Sequence, residues 1–282
     1  MPELPEVETV RRGLNRVSLN QPVRGGEVCL GRIIAFPESA DDFLKGVTDT
    51  QLDSWHRRGK YLMAKLKAND DQDAGWLGVH LRMTGQLLWV SQQESVQTHC
   101  RARLFFDGNR ELRYVDQRTF GRLWWVPPKQ DLEAVMTGLT RLGPEPFSDE
   151  FSVDYFIQVL KGRKRPIKNA LLDQKIVAGI GNIYADEALF ISGIRPLVRC
   201  DRLSRKRLTR LHAAIREVLT TSIESGGTTF SDFRDVHGTN GNYGGVAWVY
   251  DREGEPCRNC TRKIERLKLA GRSAHYCPQC QK

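Results

Sequence analysis

Hydrophobic residues recur at helical spacing near the start of the chain. Val7, Val10 and Leu14 are separated by three or four residues, which places their side chains on one face of a helix. Pro5 stands where the first turn of a helix tolerates proline. The pattern therefore predicts a short helix from about Pro5 to Asn15.

Between residues 60 and 126 the period of the hydrophobic pattern changes to two. Cys100, Ala102, Leu104 and Phe106 alternate with other residues, and the following Asp-Gly-Asn at 107–109 is a hairpin signal. Several short strands connected in this way predict an antiparallel sandwich or barrel.

Helical patterns return in the second half of the chain. A Pro-Pro pair at 127–128 ends the strand-rich region, and Gly-Pro-Glu-Pro at 143–146 is typical of the end of a linker. Apolar positions from Phe151 to Ile223 then follow helical spacing, until Gly226 and Gly227 stop the last helix. A chain of 282 residues is long enough for about two domains.

Charge narrows the class of partner. The chain has 43 basic and 34 acidic residues, a net charge of +9, which favours a polyanion such as nucleic acid, although solubility alone is the plainer explanation. No apolar run approaches the ~18 residues of a membrane span, and the first fourteen residues have no secretory pattern. We therefore expect neither a membrane segment nor a signal peptide.

Four of the seven cysteines form a regular array. They are Cys257, Cys260, Cys277 and Cys280, with the spacing C-x2-C-x16-C-x2-C. Two such pairs can place four thiolates at the corners of a tetrahedron, so the array predicts one structural Zn²⁺; a redox pair explains one C-x-x-C but not two at this distance. The isolated Cys29, Cys100 and Cys200 are expected to be packed thiols.

The N-terminus offers a nucleophile. A small second residue permits removal of Met1, which would leave Pro2 with a free secondary amine of pKa about 7.7–8.0. Attack on a sugar carbon would give an iminium, and the adjacent Glu3 is within reach as a general acid or base. Taken alone, this is weak evidence, because many proteins begin Met-Pro: an ordinary terminus is the better explanation of Pro2, and Glu3 can be simply a favourable charge at a helix end.

Four segments together resemble the bacterial formamidopyrimidine-DNA glycosylase family. They are MPELPEVETV at 1–10, DQRTFG at 116–121, the pair KNALLDQ and GIGNIYADE at 168–187, and the tail at 272–282. In that family they are the catalytic N-terminus, the intercalation loop, the helix-two-turn-helix core and the zinc-finger tail. The matches run through the whole chain in the family's order.

The resemblance implies catalytic roles at matching positions. Pro2 matches the Schiff-base nucleophile, Glu3 the acid that opens the sugar ring, and Glu6 an acidic residue that supports the site. Lys60, which alone would be a solvated strand end, matches the acid of the glycosylase and β-elimination steps. Arg272 matches the zinc-finger arginine of δ-elimination and phosphate contact.

The resemblance also implies DNA contacts. Such an enzyme flips the damaged nucleotide out of the duplex and fills the gap. Met83, Arg118 and Phe120 match the void-filling residues of the family. Met83 and Phe120 would be apolar wedges, and Arg118 would hydrogen-bond the base left without its partner. Thr119 departs from the arginine or lysine that many members carry there, which puts one polar contact in doubt.

Contacts to the DNA backbone are implied for a further set. It consists of His99, Lys164, Lys168 and Asn182, with Arg118 nearby. Five of the eight residues at 161–168 are basic, as phosphate neutralisation requires, although a bare charge run is usually a solvated face. Glu187, which ends the GIGNIYADE segment, is expected to be a supporting residue.

We therefore expect a two-domain α+β protein. Residues 1–130 would form the antiparallel β-sandwich with its N-terminal helix, 131–146 a linker, 147–236 the helix-two-turn-helix domain, and 237–282 the end of a lesion-capping loop (229–247) and a four-cysteine zinc finger. The implied protein is a cytoplasmic, monomeric, nucleoid-associated glycosylase and AP lyase. It would excise 8-oxoguanine and formamidopyrimidines from duplex DNA and cleave the strand at abasic sites by β,δ-elimination.

Two alternatives stay open. The endonuclease VIII branch prefers oxidised pyrimidines, but it usually has glycine where this chain has Leu4, and the void-filling set here is of the purine type. A non-catalytic binder of damaged DNA could keep the zinc finger and the basic face. It would not need Pro2, Glu3 and Lys60 together.

Overall fold

A computed structural model describes residues 1–68, 70–228 and 235–282. Within them the chain divides into two compact units. Unit 1 contains Met1–Thr140 and Gly226–Asn242, and unit 2 contains Arg141–Ser225 and Tyr243–Lys282. The predicted capping loop begins at Thr229, and its first six residues lie outside the described ranges. The predicted domain limits stay predictions.

The described residues of unit 1 form nine strands in two sheets. The strands are β1 Val23–Val28, β2 Ile34–Phe36, β3 Thr50–Arg58, β4 Tyr61–Ala68, β5 Asp73–His80, β6 Gly85–Ser91, β7 Cys100–Phe106, β8 Arg110–Asp116 and β9 Arg122–Val126. One sheet has the order β1-β7-β8-β6 and the other β2-β9-β5-β4-β3. All pairs are antiparallel except β2 with β9. The predicted hairpin is present, with Gly108 and Asn109 at positive φ between β7 and β8.

The two sheets of unit 1 share one apolar core. Leu62 and Leu77 from the five-stranded sheet and Leu104 and Leu112 from the four-stranded sheet belong to the same buried cluster. Burial of each such side chain contributes about 1.5–3 kcal/mol, which favours the face-to-face arrangement. The predicted β-sandwich is confirmed.

Three α-helices accompany these sheets in the part of unit 1 that the structure describes. They are α1 Leu4–Val17, α2 Ala40–Val47 and the short α3 Leu132–Val135. The first agrees with the predicted helix and buries Val7, Val10 and Leu14 in the sandwich core. Ser39 caps α2 by accepting a hydrogen bond from the Asp42 N–H at 3.2 Å.

Unit 2 is helical and ends in a small hairpin. Its helices are α4 Val153–Leu160, α5 Ile167–Leu171, α6 Asn182–Ile191 and α7 Arg205–Glu224, and its strands are β10 Glu265–Leu269 and β11 Arg272–Tyr276. The last helix stops before Gly226 and Gly227, both at positive φ, as predicted. No helix among the described residues is both long enough and apolar enough to cross a membrane.

The isolated cysteines divide into two groups. Cys100 and Cys200 are buried, as expected of packed thiols, and burial raises the pKa of Cys100 to about 11. Cys29 is exposed at the end of β1, which corrects the prediction for that residue.

Candidate functional site

The start of α1 holds two buried carboxylates. Glu3 is 2% exposed and Glu6 is 1% exposed. Glu6 accepts a hydrogen bond from the Glu3 N–H at 2.8 Å through one oxygen and from the Thr228 N–H at 2.8 Å through the other. Pro2, directly before this helix, is also buried. Glu6 therefore ties the N-terminus to a segment more than 200 residues away in the chain.

Lys60 lies in the turn between β3 and β4. Gly59 precedes it with φ of 54°, a conformation that glycine adopts readily, and the Lys60 side chain is largely buried. Next along the sheet, Tyr61 pairs with His80, and their rings meet edge to face at 4.4 Å. Burial and the charges of Arg82 and Lys60 lower the pKa of His80 to about 3. Lys60 thus has a neutral imidazole close by at pH 7.

Two loops of unit 1 are joined through Thr84 and Asp116. The Thr84 hydroxyl donates to the Asp116 carboxylate and accepts a hydrogen bond from the Arg118 N–H at 3.0 Å. The second Asp116 oxygen accepts from the Gly121 N–H at 2.9 Å. A Cβ at Gly121 would lie 1.4 Å from the Tyr114 hydroxyl, so glycine is required there. The loops that carry Met83 and Phe120 are thereby held together.

The tip of the second loop is exposed. Phe120 is 51% exposed, and the Arg118 guanidinium lies 4.9 Å from the centre of its ring. Thr119 has φ of 56°, and its hydroxyl accepts a hydrogen bond from the exposed Arg32. The Phe120 ring is therefore accessible to a partner at the tip of a loop that hydrogen bonds hold in place.

His99 lies beside these loops. Its carbonyl accepts a hydrogen bond from the Asp116 N–H at 2.9 Å, and its Nδ1 lies 3.1 Å from the Arg101 guanidinium. The Asp116 that joins the two loops therefore also connects to His99.

The basic segment of unit 2 separates into exposed and buried members. Lys164 is exposed between α4 and α5. Lys168 is 1% exposed, and its Nζ lies 2.6 Å from Asp186 Oδ1. To reach a DNA phosphate the Lys168 ammonium would have to leave Asp186, and the phosphate contact expected of Lys168 stays a prediction. Asn182 begins α6 and donates through Nδ2 to Ser273 Oγ at 3.3 Å.

Arg272 lies at the tip of the C-terminal hairpin. It is the first residue of β11 and is exposed, directly after Ala270 and Gly271, which both have positive φ. Two consecutive residues at positive φ form the tight turn that matches the twist of a hairpin.

The four cysteines of the array come together. Their Sγ atoms all lie within 4.8 Å of one another. Backbone N–H groups of Asn259 and Cys280 point at the sulfurs of Cys257 and Cys277, each at 3.4 Å. A tetrahedral Zn²⁺ with Zn–S bonds of about 2.3 Å needs sulfurs about 3.8 Å apart, and this donor set fits it.

Glu187 is buried in α6. Its carboxylate accepts hydrogen bonds from the N–H groups of Trp248, Val249 and Tyr250 at 2.7–2.9 Å. Burial raises its pKa, although these three donors act in the opposite direction. Glu187 thus fixes residues 248–250, which lie between the predicted capping loop (229–247) and the cysteine array.

Comparisons with known proteins cover the entire chain. Three family models match: the N-terminal domain of formamidopyrimidine-DNA glycosylase at residues 1–123, its H2TH domain at 142–234, and a zinc finger found in FPG and IleRS at 254–282. The formamidopyrimidine-DNA glycosylase of Acaryochloris marina is 63% identical over 281 residues, covering 100% of this chain and 99% of the relative. The chain belongs to the formamidopyrimidine-DNA glycosylase family.

Solved structures of that family have the same fold. The MutM (Fpg) protein of Thermus thermophilus is 38% identical with a TM-score of 0.87, covering 99% of this chain and 98% of its own. An Fpg variant of Lactococcus lactis, in complex with DNA that contains Fapy-dG, is 31% identical with a TM-score of 0.90, and each chain is covered completely. The predicted fold class and family are confirmed.

Within each unit the structure brings several of the family's matched residues together. Glu3 and Glu6 are joined in unit 1, and the loops of Met83 and Phe120 are joined there through Thr84. In unit 2, Asn182 reaches the strand that Arg272 begins.

Sequence reasoning missed the residues that hold these groups in place. Asp116, His80, Asp186 and His275 are all buried and polar. Both aspartates stand inside motifs named above, and for Asp186 the apolar residues on either side were the available signal.

Proposed function

We propose that this chain excises oxidised purines from duplex DNA and cleaves the strand at the resulting abasic site. Membership of the family identifies it as a DNA glycosylase of base-excision repair. The observation that carries the detailed proposal is the buried pair Glu3 and Glu6 at the start of α1, next to Pro2. An isolated charge at a helix end needs no such burial.

Pro2 is the proposed nucleophile. After removal of Met1 its secondary amine is partly neutral near pH 7 and can form a bond to C1′ of the damaged nucleotide. Glu3 gives a proton to the ring oxygen as the C1′–O bond opens, and the base leaves with its bonding electron pair. Glu6 uses both oxygens to hold backbone N–H groups, which orients the N-terminus.

Lys60 is the proposed acid in base departure and in β-elimination. Its side chain is held at the β3–β4 turn, and His80 beside it is neutral at pH 7. Because the His80 imidazole is neutral, the Lys60 ammonium is the group that can give up a proton at the β3–β4 turn. Arg272 is the proposed residue for δ-elimination.

DNA is held by two kinds of contact in this proposal. Met83, Arg118 and Phe120 fill the space left by the flipped nucleotide, and exposure of Phe120 suits a wedge. His99, Lys164 and Asn182 contact the backbone. For Lys168 a different role is proposed, because its ammonium is buried against Asp186.

One Zn²⁺ is proposed at Cys257, Cys260, Cys277 and Cys280. The metal would supply the folding free energy that a hairpin of about 30 residues cannot obtain from its own core. Monomeric action and a cytoplasmic, nucleoid-associated location stay predictions.

Borohydride trapping tests the proposal. The substrate is a duplex with one 8-oxoguanine opposite cytosine, and the covalent adduct should map to Pro2. A removable N-terminal extension should abolish trapping, and its cleavage to expose Pro2 should restore it. An extended protein that remains fully active would contradict the N-terminal mechanism.

Two substitutions separate the chemical steps. Glu3→Gln should lose base excision but keep binding to the lesion. Lys60→Ala should reduce excision of 8-oxoguanine more than cleavage of a preformed abasic site, whereas an equal loss would assign Lys60 to binding. Preference for an oxidised pyrimidine duplex would favour the endonuclease VIII alternative, and lesion binding without an adduct would favour a simple binder.

A further inference from the structure

A buried network of charged side chains lies between α6 and β11 in unit 2. Lys168 is 1% exposed, Asp186 is 0% exposed and His275 is 4% exposed. The Lys168 ammonium lies 2.6 Å from one oxygen of Asp186, and the other oxygen accepts a hydrogen bond from the His275 N–H at 2.9 Å. The His275 ring also lies against Asp186, with Nδ1 at 3.2 Å. The proposed chemistry uses none of these three contacts.

The same pair of charges contacts the backbone of β11 at alternate residues. Lys168 Nζ donates to the Ser273 carbonyl at 2.5 Å, and Asp186 accepts from the His275 N–H. The Ser273 carbonyl is an acceptor and the His275 N–H is a donor on one edge of β11. The other edge of this strand pairs with β10. Lys168 and Asp186 therefore take the place of a neighbouring strand, since a ladder would offer β11 the same donor and acceptor.

This arrangement fixes the register of the strand. A shift of β11 by one residue would move it by about 3.3 Å and turn its side chains to the other face. It would also take the backbone partners away from a buried lysine and a buried carboxylate, which is unfavourable because no water replaces those hydrogen bonds in the interior. Arg272, at the start of β11, and Asn182, which contacts Ser273, both depend on that register.

We propose that Asp186, together with Lys168, is a positioning residue that sets β11 in register and so aims Arg272 at the DNA. This inference rests on the proposed role of Arg272 in δ-elimination. Lys168 then affects the reaction through the hairpin and not by contact with phosphate. His275 adds a second hold on Asp186 from the strand itself.

The experiment measures the products formed from a duplex with a preformed abasic site under single-turnover conditions. Asp186→Asn should lower the ratio of δ- to β-elimination product by about tenfold, because a displacement of about 1 Å at a reacting group can cost that much or more. Borohydride trapping and zinc content should match those of Asp154→Asn, an exposed aspartate of α4 that serves as the control. A merely structural role would reduce both products together.

A charge-neutral variant keeps the test decisive if Asp186→Asn does not fold. Lys168→Met/Asp186→Leu leaves no unpaired buried charge, and it lacks both contacts to β11 because neither new side chain can donate or accept a hydrogen bond. It should fold, retain zinc and still show the low product ratio. A normal ratio in a folded double variant would overturn the proposal.

Arg272→Ala distinguishes the two ways of failing. If Arg272→Ala keeps the normal product ratio, the proposed role of Arg272 is wrong. If Arg272→Ala loses δ-product but both Asp186 variants keep it, the role of Arg272 stands and the positioning inference is wrong.

Discussion

Glu8 in α1 is an ionised carboxylate held by three arginines of unit 1. Its oxygens lie 2.7 Å from Arg11, 2.8 Å from Arg12 and 3.1 Å from Arg57. Burial opposes its ionisation, but the hydrogen bonds and charges of these arginines lower the pKa of Glu8 from about 4.5 to about 2. The cluster anchors α1, the helix that begins beside Pro2 and Glu3, to strand β3.

The lowered pKa of Glu8 predicts a pH dependence of stability. A depressed carboxylate contributes stability that is fully present above its unfolded pKa and is lost as pH falls through its folded pKa. Glu8→Gln should therefore reduce the free energy of unfolding by about 2 kcal/mol at pH 7. The difference from the parent chain should shrink as pH falls from about 4.5 to about 2.

Urea titrations across this pH range measure that difference. The exposed Glu38→Gln in unit 1 is the control for loss of a carboxylate as such. A destabilisation by Glu8→Gln that stays constant down to pH 2 would mean that its ionisation does not support α1.

At the scale of elements, the loop that carries the exposed Phe120 and the basic segment of unit 2 at 161–168 differ in how the structure holds them. Asp116 and Thr84 hold the loop by hydrogen bonds, whereas Lys164 is simply exposed. A rigid loop with an exposed ring suits insertion into a distorted duplex, and an exposed ammonium suits neutralisation of phosphates.

These two roles predict different effects on selectivity. Phe120→Ala should weaken binding to lesion duplex more than to undamaged duplex, because the unstacking cost of a few kcal/mol loses part of its compensation. Lys164→Ala should weaken both equally and reduce the salt slope by about one unit. The measurement is the ratio of damaged to undamaged affinity over a salt series, and an equal fall of that ratio in both variants would contradict the division of roles.

At the scale of the whole molecule, each unit has its own packed core. The sandwich core of unit 1 contains no residue of the cysteine array, while Cys257 and Cys277 belong to a small separate cluster with Phe190, Val249 and Ile264. A metal bound at the array would therefore stabilise this small cluster of unit 2.

Removal of zinc should accordingly weaken DNA binding and leave the sandwich folded. Cys277→Ser should lose the metal and lower affinity for DNA, with unchanged fluorescence from the core tryptophans Trp55 and Trp89 when parent and variant both carry Trp248→Phe, because Trp248 stacks on Phe190 of the small cluster. Metal analysis, DNA titration and fluorescence check this result, with the exposed Cys29→Ser as the control. Unchanged binding by metal-free Cys277→Ser would refute the structural role of zinc.

Local patterns were enough to predict some elements and not others. The period of α1 and the turn of the β7–β8 hairpin were read from the chain, whereas α2 was not, although Ser39 and Asp42 form a recognisable capping pair. The parallel pairing of β2 with β9 had no local signal. These two strands are about 90 residues apart in the chain, and they pair because packing of the common hydrophobic core brings them together.

The sequence by itself determined the elements and groups whose cause lies within a few residues. These are the helical period of α1, the turn at residues 107–109, the cysteine spacing and the presence of Pro2 next to Glu3. Only the tertiary structure decided which charges face solvent. Lys164 and Lys168 are four residues apart and alike in sequence, yet one is exposed and the other is buried against Asp186. The partner of a buried charge is supplied by packing between distant segments, and no local pattern encodes that choice.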